Sequence, residues 1–487
     1  MSTPLRRMAT RGVRIVSTVA VAAALVPALV LAQTADDTAT FHGDLGRTGA
    51  QPGPAPSGDP TLAWRFATQG AVRAAPVVAG GVLYVGSNDG SLYALDSESG
   101  EERWRFPTDG PINGSAAVVD GSVYFASGDG YAYAVNAESG EQRWRYYAGE
   151  LNPDIETLPA EEQDRGAITT SVMVVDGLVY VSSNSFKITA IDAETGIERW
   201  HDFSNKSDVT TPSFGDGALY FSSDAGIFSR DAQTGAVRWT AYLDAELAET
   251  QAERQSESAR PTPDPATQTA AAEETIAAGG VVEETATETP AADATETADV
   301  GSEGLADIGT TPTLLEVVEI YSDFTWDVAS APVVVGDLIY QTAYAIQGDD
   351  AGSVISTLLL VLSAEDGSLV DIWSFYAWDL TLTTPAIVDG SAYVATDEGL
   401  VYAYDTEQRL QRWGVHTESY IGSSPVVSDD AVFFGNDNGT IYALAAEGGQ
   451  ELWRFQTGGA VRSSAVVLNG LLYIGSDDGS VYAIGGS

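Results

Sequence analysis

The sequence predicts an all-β chain folded as an eight-bladed β-propeller of four-stranded antiparallel blades. A tryptophan returns roughly every 40 residues, and a fixed period in this range indicates one supersecondary unit copied many times. Within each unit, short runs of β-branched and aromatic residues alternate with Gly-Gly, Asn-Gly or Asp-Gly turns, which join antiparallel strands. The last unit lacks its fourth run, and an extra run precedes the first unit.

The repeated unit is clearest in residues 75–106, where glycine-containing turns separate four strands. Ala94, Asp96, Gly100 and Trp104 stand at offsets 0, +2, +6 and +10, and later units repeat this spacing. We expect the Asp to cap its own turn. An indole buries a large apolar area and its N–H finds a carbonyl, here in the next blade. A structural docking role is therefore assigned to Trp64, Trp104, Trp144, Trp200, Trp239, Trp373, Trp413 and Trp453.

Counting the units gives eight blades. They begin near Ala75, Ser115, Ser171, Thr211, Ser330, Thr384, Ser424 and Ser464. The run at 62–66 matches the strand that the eighth unit lacks, so an N-terminal strand should complete the last blade and close the ring. Closure leaves only short, protected edges. Unit five has a longer middle hairpin, and unit six has Arg409 at the glycine position.

Composition divides the chain into five segments. They are a signal peptide or membrane anchor at 1–32, a lead-in segment at 33–61, the closing strand with blades 1–4 at 62–242, an acidic insert at 243–320, and blades 5–8 at 321–487. The insert combines Ala, Thr, Glu and Pro with few large apolar residues, which predicts a disordered loop between two blades. A tolerated insertion and a spacer, sometimes O-glycosylated in such segments, are its alternative roles.

The first segment is typical of an export signal. Arg6, Arg7, Arg11 and Arg14 precede an apolar run at 15–32. We therefore expect an extracytoplasmic protein, whether periplasmic, secreted or held at the cell surface. The run of about 18 residues is near the lower limit for crossing a bilayer, so cleavage and retention as an anchor both stay open.

Charge and cysteine content exclude several classes of partner. The chain has 69 acidic against 23 basic residues and a formal net charge of −46. Such a surface repels nucleic acid and anionic lipid, so we expect no nucleic-acid partner, and membrane contact only through a retained N-terminal segment. It keeps an exported protein soluble, with adaptation to high salt as the alternative. With no cysteine, the chain has no disulfide, thiolate metal site or lipid-modified cysteine.

The spacing Ala-x-Asp-x-x-x-Gly-x-x-x-Trp resembles the tryptophan-docking motif of pyrroloquinoline-quinone-type (PQQ-like) repeats, over roughly residues 62–242 and 321–487. Residues 41–49 also resemble the segment that precedes the first blade in such proteins. The family includes quinoprotein dehydrogenases and non-catalytic propellers such as the BamB-type lipoproteins of outer-membrane barrel assembly. The resemblance is closer to the non-catalytic group, although fold alone does not choose between them.

For a dehydrogenase, the resemblance implies PQQ on the propeller axis, Ca²⁺ held by oxygen ligands, and a carboxylate base. The axial face should be lined by the residue that precedes each innermost strand. These residues are Arg73, Asn113, Thr169, Val209, Ala329, Leu382, Gly422 and Arg462. Among them, Arg73, Asn113, Thr169 and Arg462 are the candidate cofactor-binding residues at the channel mouth. The two arginines fall in neighbouring units, where they either hold an anion or pair with acids, and pairing is favoured.

No catalytic or metal-binding residue is predicted. The three histidines form no metal-spaced pair, and the Asp-Gly turns lack the terminal Glu of a Ca²⁺ loop, so they are interpreted as hairpin turns. The sequence thus favours an exported, monomeric, non-catalytic scaffold that binds an envelope protein or a surface polymer and needs no cofactor. The alternative is a PQQ- and calcium-dependent dehydrogenase of alcohols or sugars.

Overall fold

The structure, a computed structural model, describes residues 38–51, 53–149, 168–183, 187–203, 209–223, 226–243, 325–328, 330–347, 354–375, 383–417 and 419–486. The regular structure in these ranges is β-strand throughout. They contain no helix of the length and apolarity needed to cross a membrane. The proposed export signal and almost all of the acidic insert lie outside the described residues.

Eight antiparallel sheets, each built around four strands, form the ring, which confirms the predicted eight-bladed propeller. Two strands precede the first blade: β1 (Thr38–Ala39) and β2 (Pro60–Ala67). From the inside outwards, blade 1 consists of β3 (Val77–Ala79), β4 (Val82–Gly86), β5 (Ser91–Asp96) and β6 (Glu102–Pro107). Blade 2 consists of β7 (Ala117–Val119), β8 (Ser122–Ala126), β9 (Tyr131–Asn136) and β10 (Gln142–Tyr147). Blade 3 consists of β11 (Met173–Val175), β12 (Leu178–Ser183), β13 (Lys187–Asp192) and β14 (Glu198–Phe203), and blade 4 of β15 (Ser213–Gly215), β16 (Ala218–Ser223), β17 (Gly226–Asp231) and β18 (Val237–Tyr242).

The second half of the ring begins with an additional short strand, β19 (Thr325–Asp327), which pairs with β21 of blade 5. Blade 5 consists of β20 (Val333–Val335), β21 (Leu338–Gln347), β22 (Val354–Ser363) and β23 (Leu369–Phe375), and blade 6 of β24 (Ala386–Val388), β25 (Ser391–Ala395), β26 (Leu400–Asp405) and β27 (Leu410–His416). Blade 7 consists of β28 (Val426–Ser428), β29 (Ala431–Gly435), β30 (Thr440–Ala445) and β31 (Glu451–Gln456). Blade 8 consists of β32 (Val466–Leu468), β33 (Leu471–Ser476) and β34 (Ser480–Gly486), with β2 as its outermost strand.

The two ends of the chain share blade 8, as the sequence predicts. Strand β2 pairs antiparallel with β34, from Pro60 opposite Gly486 to Ala67 opposite Ser480. The indole of Trp64 then donates to the carbonyl of Ser97 in blade 1 at 2.9 Å, so the closing strand is docked on the neighbouring blade like any other outer strand.

The ring has two distinct faces. We call the face with the turns between second and third strands, and the connections from one blade to the next, the mouth face. The opposite face, with the turns between first and second strands and between third and fourth strands, is the base face. On the mouth face the Asn88 N–H bonds the carbonyl of Ala71, and on the base face the Ser97 N–H bonds that of Gly81. Base-face hairpins such as Asp120-Gly121 have two successive positive φ angles, 48° and 69°, as type I′ turns require.

The apolar core lies between blades rather than within them. One cluster joins Tyr84 and Leu92 of blade 1 to Val123 and Phe125 of blade 2, and other clusters likewise join neighbouring blades. The docking motif seals this interface on the base face. The indole N–H of Trp144 donates to the Ala193 carbonyl of the next blade at 2.8 Å. Equivalent bonds of 2.8–3.0 Å are made by Trp64, Trp104, Trp200, Trp239 and Trp413.

The motif requires glycine for two reasons, its backbone conformation and its contact with the docked indole. Gly196 has a φ of 71°, and a Cβ built on it would lie 2.7 Å from the ring of Trp144. The Asp of the motif caps the turn as expected, since Asp192 accepts from the Thr195 N–H at 2.8 Å. The motif therefore encodes a turn and a docking surface together.

Trp373 departs from the prediction that it donates to the next blade. Its indole N–H bonds the Asp371 carboxylate of its own strand at 2.8 Å. The reason is Arg409, which replaces the motif glycine in blade 6 and pairs with the same carboxylate at 2.9 Å. Trp373 instead stacks on Tyr404, with ring centroids 6.3 Å apart. An ion pair thus joins blades 5 and 6 where the other docked blades are joined by an indole-to-carbonyl bond.

Candidate functional site

Residues 38–51, which we call the axial plug, lie against the innermost strands at the base end of the axial channel. The innermost strand of a blade has no neighbour on its axial side, so its backbone groups there need other partners. The plug supplies them in ring order. Strand β1 pairs with β7 of blade 2, and the carbonyls of Leu45, Gly46, Thr48 and Gly49 each accept at 2.8 Å from Phe214, Val334, Ile387 and Val427 of blades 4, 5, 6 and 7.

Glycines allow the plug to approach the strands this closely. A Cβ on Gly46 would lie 2.5 Å from the Val334 carbonyl oxygen, and one on Gly49 would lie 2.6 Å from the Cβ of Ala386. Beyond the plug, the Pro56 carbonyl accepts from the indole of Trp453 at 3.4 Å. The chain therefore supplies from its N-terminal side the docking partner that the truncated eighth unit lacks.

Two basic side chains occupy the middle of the plug. The imidazole of His42, 2% exposed, lies 2.7 Å from the Arg47 carbonyl and 2.9 Å from the Pro425 carbonyl of blade 7. The guanidinium of Arg47, fully buried, donates from Nε to the Pro212 carbonyl of blade 4 at 3.1 Å. Burial lowers the pKa of His42. These contacts connect blades 4 and 7 of the channel wall through the plug.

The mouth end of the channel carries an ion-pair network. Arg73 donates from Nε and Nη2 to both carboxylate oxygens of Asp477, at 2.9 and 3.0 Å. Arg462 binds Asp437 in the same two-pronged way, at 2.9 and 2.6 Å, and its Nη1 lies 3.5 Å from Asp477. The Asp437 carboxylate raises the pKa of the Arg462 guanidinium. Pairing with acids, the favoured interpretation, is therefore what the structure contains.

The eight predicted axial residues differ in their surroundings. Arg73 and Arg462 share Asp477, which joins blades 7, 8 and 1 at the mouth, and the guanidinium of Arg462 also lies over the ring of Tyr420. Asn113 and Thr169 stand at the equivalent positions of blades 2 and 3. The remaining four positions are Val209, which is buried, Gly422, which lies against Arg462, and Ala329 and Leu382, which fall outside the described residues.

Sequence reasoning missed a series of hydroxyl groups beside the innermost strands. Among the described residues, a hydroxyl at the start of one unit accepts a backbone N–H from the start of the preceding unit at five blade boundaries. Such bonds run from Ser115 to Ser171, Ser171 to Thr211, Ala331 to Thr384, Thr384 to Ser424, and Ser424 to Ser464, at 3.0–3.3 Å. The recurrence of Ser or Thr at the unit start was the available signal.

The described residues at the channel mouth that could meet a quinone or a calcium ion are already bound to one another. The Asp-Gly turns at the mouth are hairpin turns, in which Asp89 accepts from the Tyr93 hydroxyl at 2.7 Å and from the Gln69 N–H of the preceding connection at 2.9 Å. Among the described residues, no three His, Asp or Glu side chains are grouped as metal ligands would be. The two arginines at the mouth already have carboxylate partners.

The eight blades and their docked tryptophans define a propeller of PQQ-like repeats. The family model described as outer membrane protein assembly factor BamB matches residues 57–241, 158–348 and 356–486, and the overlap reflects the repeats. The chain therefore belongs to this family. A search of curated proteins finds no match to the chain.

Solved structures with the same fold fall into both functional groups. BamB from Moraxella catarrhalis is 15% identical, with a TM-score of 0.55 over 88% of this chain and 99% of that one. Quinohemoprotein alcohol dehydrogenase from Comamonas testosteroni is 14% identical, with a TM-score of 0.60 over 92% and 80%. A europium-containing methanol dehydrogenase is 14% identical, with a TM-score of 0.59 over 91% and 96%. At these identities the likeness establishes the fold alone.

Proposed function

We propose that this chain is an exported, non-catalytic scaffold that binds an envelope protein or a surface polymer through its mouth face. The observation that carries the proposal is the placement of its insertions. In repeat proteins, insertions concentrate on one face, which is often the binding face. Here the longest connections between blades, residues 148–172 and 243–332, both run between strand ends that lie at the mouth face.

The blade-5 hairpin supports the same face. Strands β21 and β22 have 10 residues each, whereas the corresponding strands of the other blades have five to seven. Because their turn belongs to the mouth side, the extra length projects there. The base face, in contrast, is where the plug enters and docks, so the chain itself occupies its centre. Loops on a rigid ring are a common platform for binding.

Family membership and charge favour an envelope partner. The matching family model is described as an outer membrane protein assembly factor, and the N-terminal sequence is typical of export. With a net charge of −46, the chain repels polyanions, which favours a neutral or basic partner.

A dehydrogenase of alcohols or sugars is the second candidate, because two of the similar structures are a quinohemoprotein alcohol dehydrogenase and a europium-containing methanol dehydrogenase. In that case Arg73 and Arg462 would be the groups available to a carboxylated quinone. Both already make bidentate contacts, with Asp477 and Asp437 respectively, and we therefore prefer the scaffold.

Site-specific photo-cross-linking in the native envelope tests the scaffold. A photoreactive residue is placed at Gln69 or Asp109, exposed on the mouth face, and at Asp120 or Asp216, exposed base-face controls. We expect discrete cross-linked products from the mouth positions, which disappear when excess unmodified protein competes. Products from the base positions alone, or from neither face, contradict the proposal.

A further inference from the structure

The axial plug contains a buried positive charge whose hydrogen bonds are incomplete. The side chain of Arg47 is fully buried. It donates from Nε to the Pro212 carbonyl and from Nη1 to the Phe41 carbonyl and the Thr40 hydroxyl, at 3.1, 2.8 and 3.3 Å. Nη2 has no hydrogen-bond partner among the residues that the structure describes, so two N–H donors of a charged group are left over.

The three acceptors satisfy hydrogen bonds without neutralising the charge, because two are carbonyls and one is a hydroxyl. Asp44 is the acid that acts on Arg47 through its charge. Its carboxylate, however, accepts from the backbone N–H of Thr48 at 3.1 Å and from the Thr48 hydroxyl. The ring of Phe41, 5.3 Å from the guanidinium carbon, contributes a cation–π contact. Burial lowers the pKa of Arg47 to about 9, which reflects this incomplete compensation.

A second donor in the plug is also left over. The amide oxygen of Gln51 accepts from the Val467 N–H of blade 8, while its Nε2 is buried and without a partner among the described residues. The plug thus has two buried side-chain atoms without a partner among the described residues, Arg47 Nη2 and Gln51 Nε2, and both are N–H donors. Buried charges are normally paired, and an unsatisfied buried group calls for a water or an ion as its partner.

We propose that Arg47 Nη2 binds a small monovalent anion of the halide class, such as chloride, inside the axial plug. An anion satisfies the two N–H groups and the charge together, whereas a water molecule satisfies only the N–H groups. The site is distinct from the mouth face and does not depend on the proposed scaffold function. Because the plug bonds the inner strands of blades 2 and 4–7 and Gln51 bonds blade 8, anion binding there stabilises ring closure.

Crystals grown with bromide in place of chloride test the site directly. We expect an anomalous peak within hydrogen-bond distance of Arg47 Nη2. Density at that position without anomalous signal identifies a water and overturns the proposal, as does the absence of density there. The measurement uses the unaltered protein, so it does not depend on whether a variant folds.

Thermal unfolding provides a second, independent test. Sodium chloride is compared with sodium gluconate at equal ionic strength, since general screening stabilises an acidic protein equally in both salts. The unfolding midpoint of the unaltered protein should be higher in chloride and rise with its logarithm once the site begins to fill. The difference between salts should vanish in Arg47→Met and persist in Arg73→Met, the control arginine at the mouth. Equal midpoints in both salts for the unaltered protein, or an unchanged difference in Arg47→Met, overturn the proposal.

Discussion

Deleting residues 33–68 should abolish cooperative folding of the propeller. The deletion removes the outer strand of blade 8, the docked indole of Trp64 and the Pro56 carbonyl that receives Trp453. It also removes the axial plug from six inner strands. The combined loss is comparable with the whole free energy of unfolding of a domain, about 5–15 kcal/mol.

Circular dichroism and thermal unfolding of the purified protein measure this effect. The matched control deletes residues 33–37 alone, which precede β1 and leave both the plug and β2 in place. We expect the control to unfold like the unaltered chain and the longer deletion to show no cooperative transition. A normal transition after the longer deletion would mean that the ring closes in some other way.

Replacing Trp144 by alanine should destabilise the fold by about 3–5 kcal/mol, as expected for truncating a buried aromatic residue. The indole is 8% exposed, lies against Gly196 of the next blade and donates to the Ala193 carbonyl. Its removal opens a cavity between blades 2 and 3 and leaves that carbonyl without the indole donor.

Urea unfolding of Trp144→Ala, followed by circular dichroism, gives the change in free energy. Ile197→Ala is the control. Ile197 directly follows Gly196 in the same base-face turn of blade 3, but its side chain is 64% exposed. We expect a change within about 0.5 kcal/mol for the control. A loss of unfolding free energy below about 1 kcal/mol for Trp144→Ala is too small for a buried indole and would refute the docking role.

Most of the fold follows from periodicity and turn chemistry, which are local. The Ala94–Trp104 motif specifies a capped turn, a positive φ at glycine and a docked indole, and these features recur in nearly every blade. Closure followed from matching the run at 62–66 to the missing strand. Trp453 differs in its acceptor, since it donates to Pro56 of the lead-in segment rather than to the next blade. Trp373 differs in donating to its own strand, and the sequence signal for this was Arg409 at the glycine position, whose positive charge needed an acid partner.

The plug could not be predicted in the same way. Residues 41–49 were identified only by resemblance, because their bonds to the ring are made by backbone carbonyls, which every residue type offers. The arginine pair at the mouth was foreseen from ring closure, but its partners Asp437 and Asp477 were interpreted only as turn residues. The two aspartates lie in turns between second and third strands, whereas the two arginines precede innermost strands. Only the folded ring brings these positions together on the mouth face.

Titration of the purified protein with PQQ and Ca²⁺ tests the central claim, a non-catalytic propeller, most directly. Tryptophan fluorescence reports binding, and dye reduction with a panel of alcohols and aldoses reports turnover. We predict neither saturable binding at micromolar quinone nor dye reduction. Micromolar binding with turnover that is lost in Arg73→Met and Arg462→Met would contradict the account and establish a dehydrogenase with its quinone at the channel mouth.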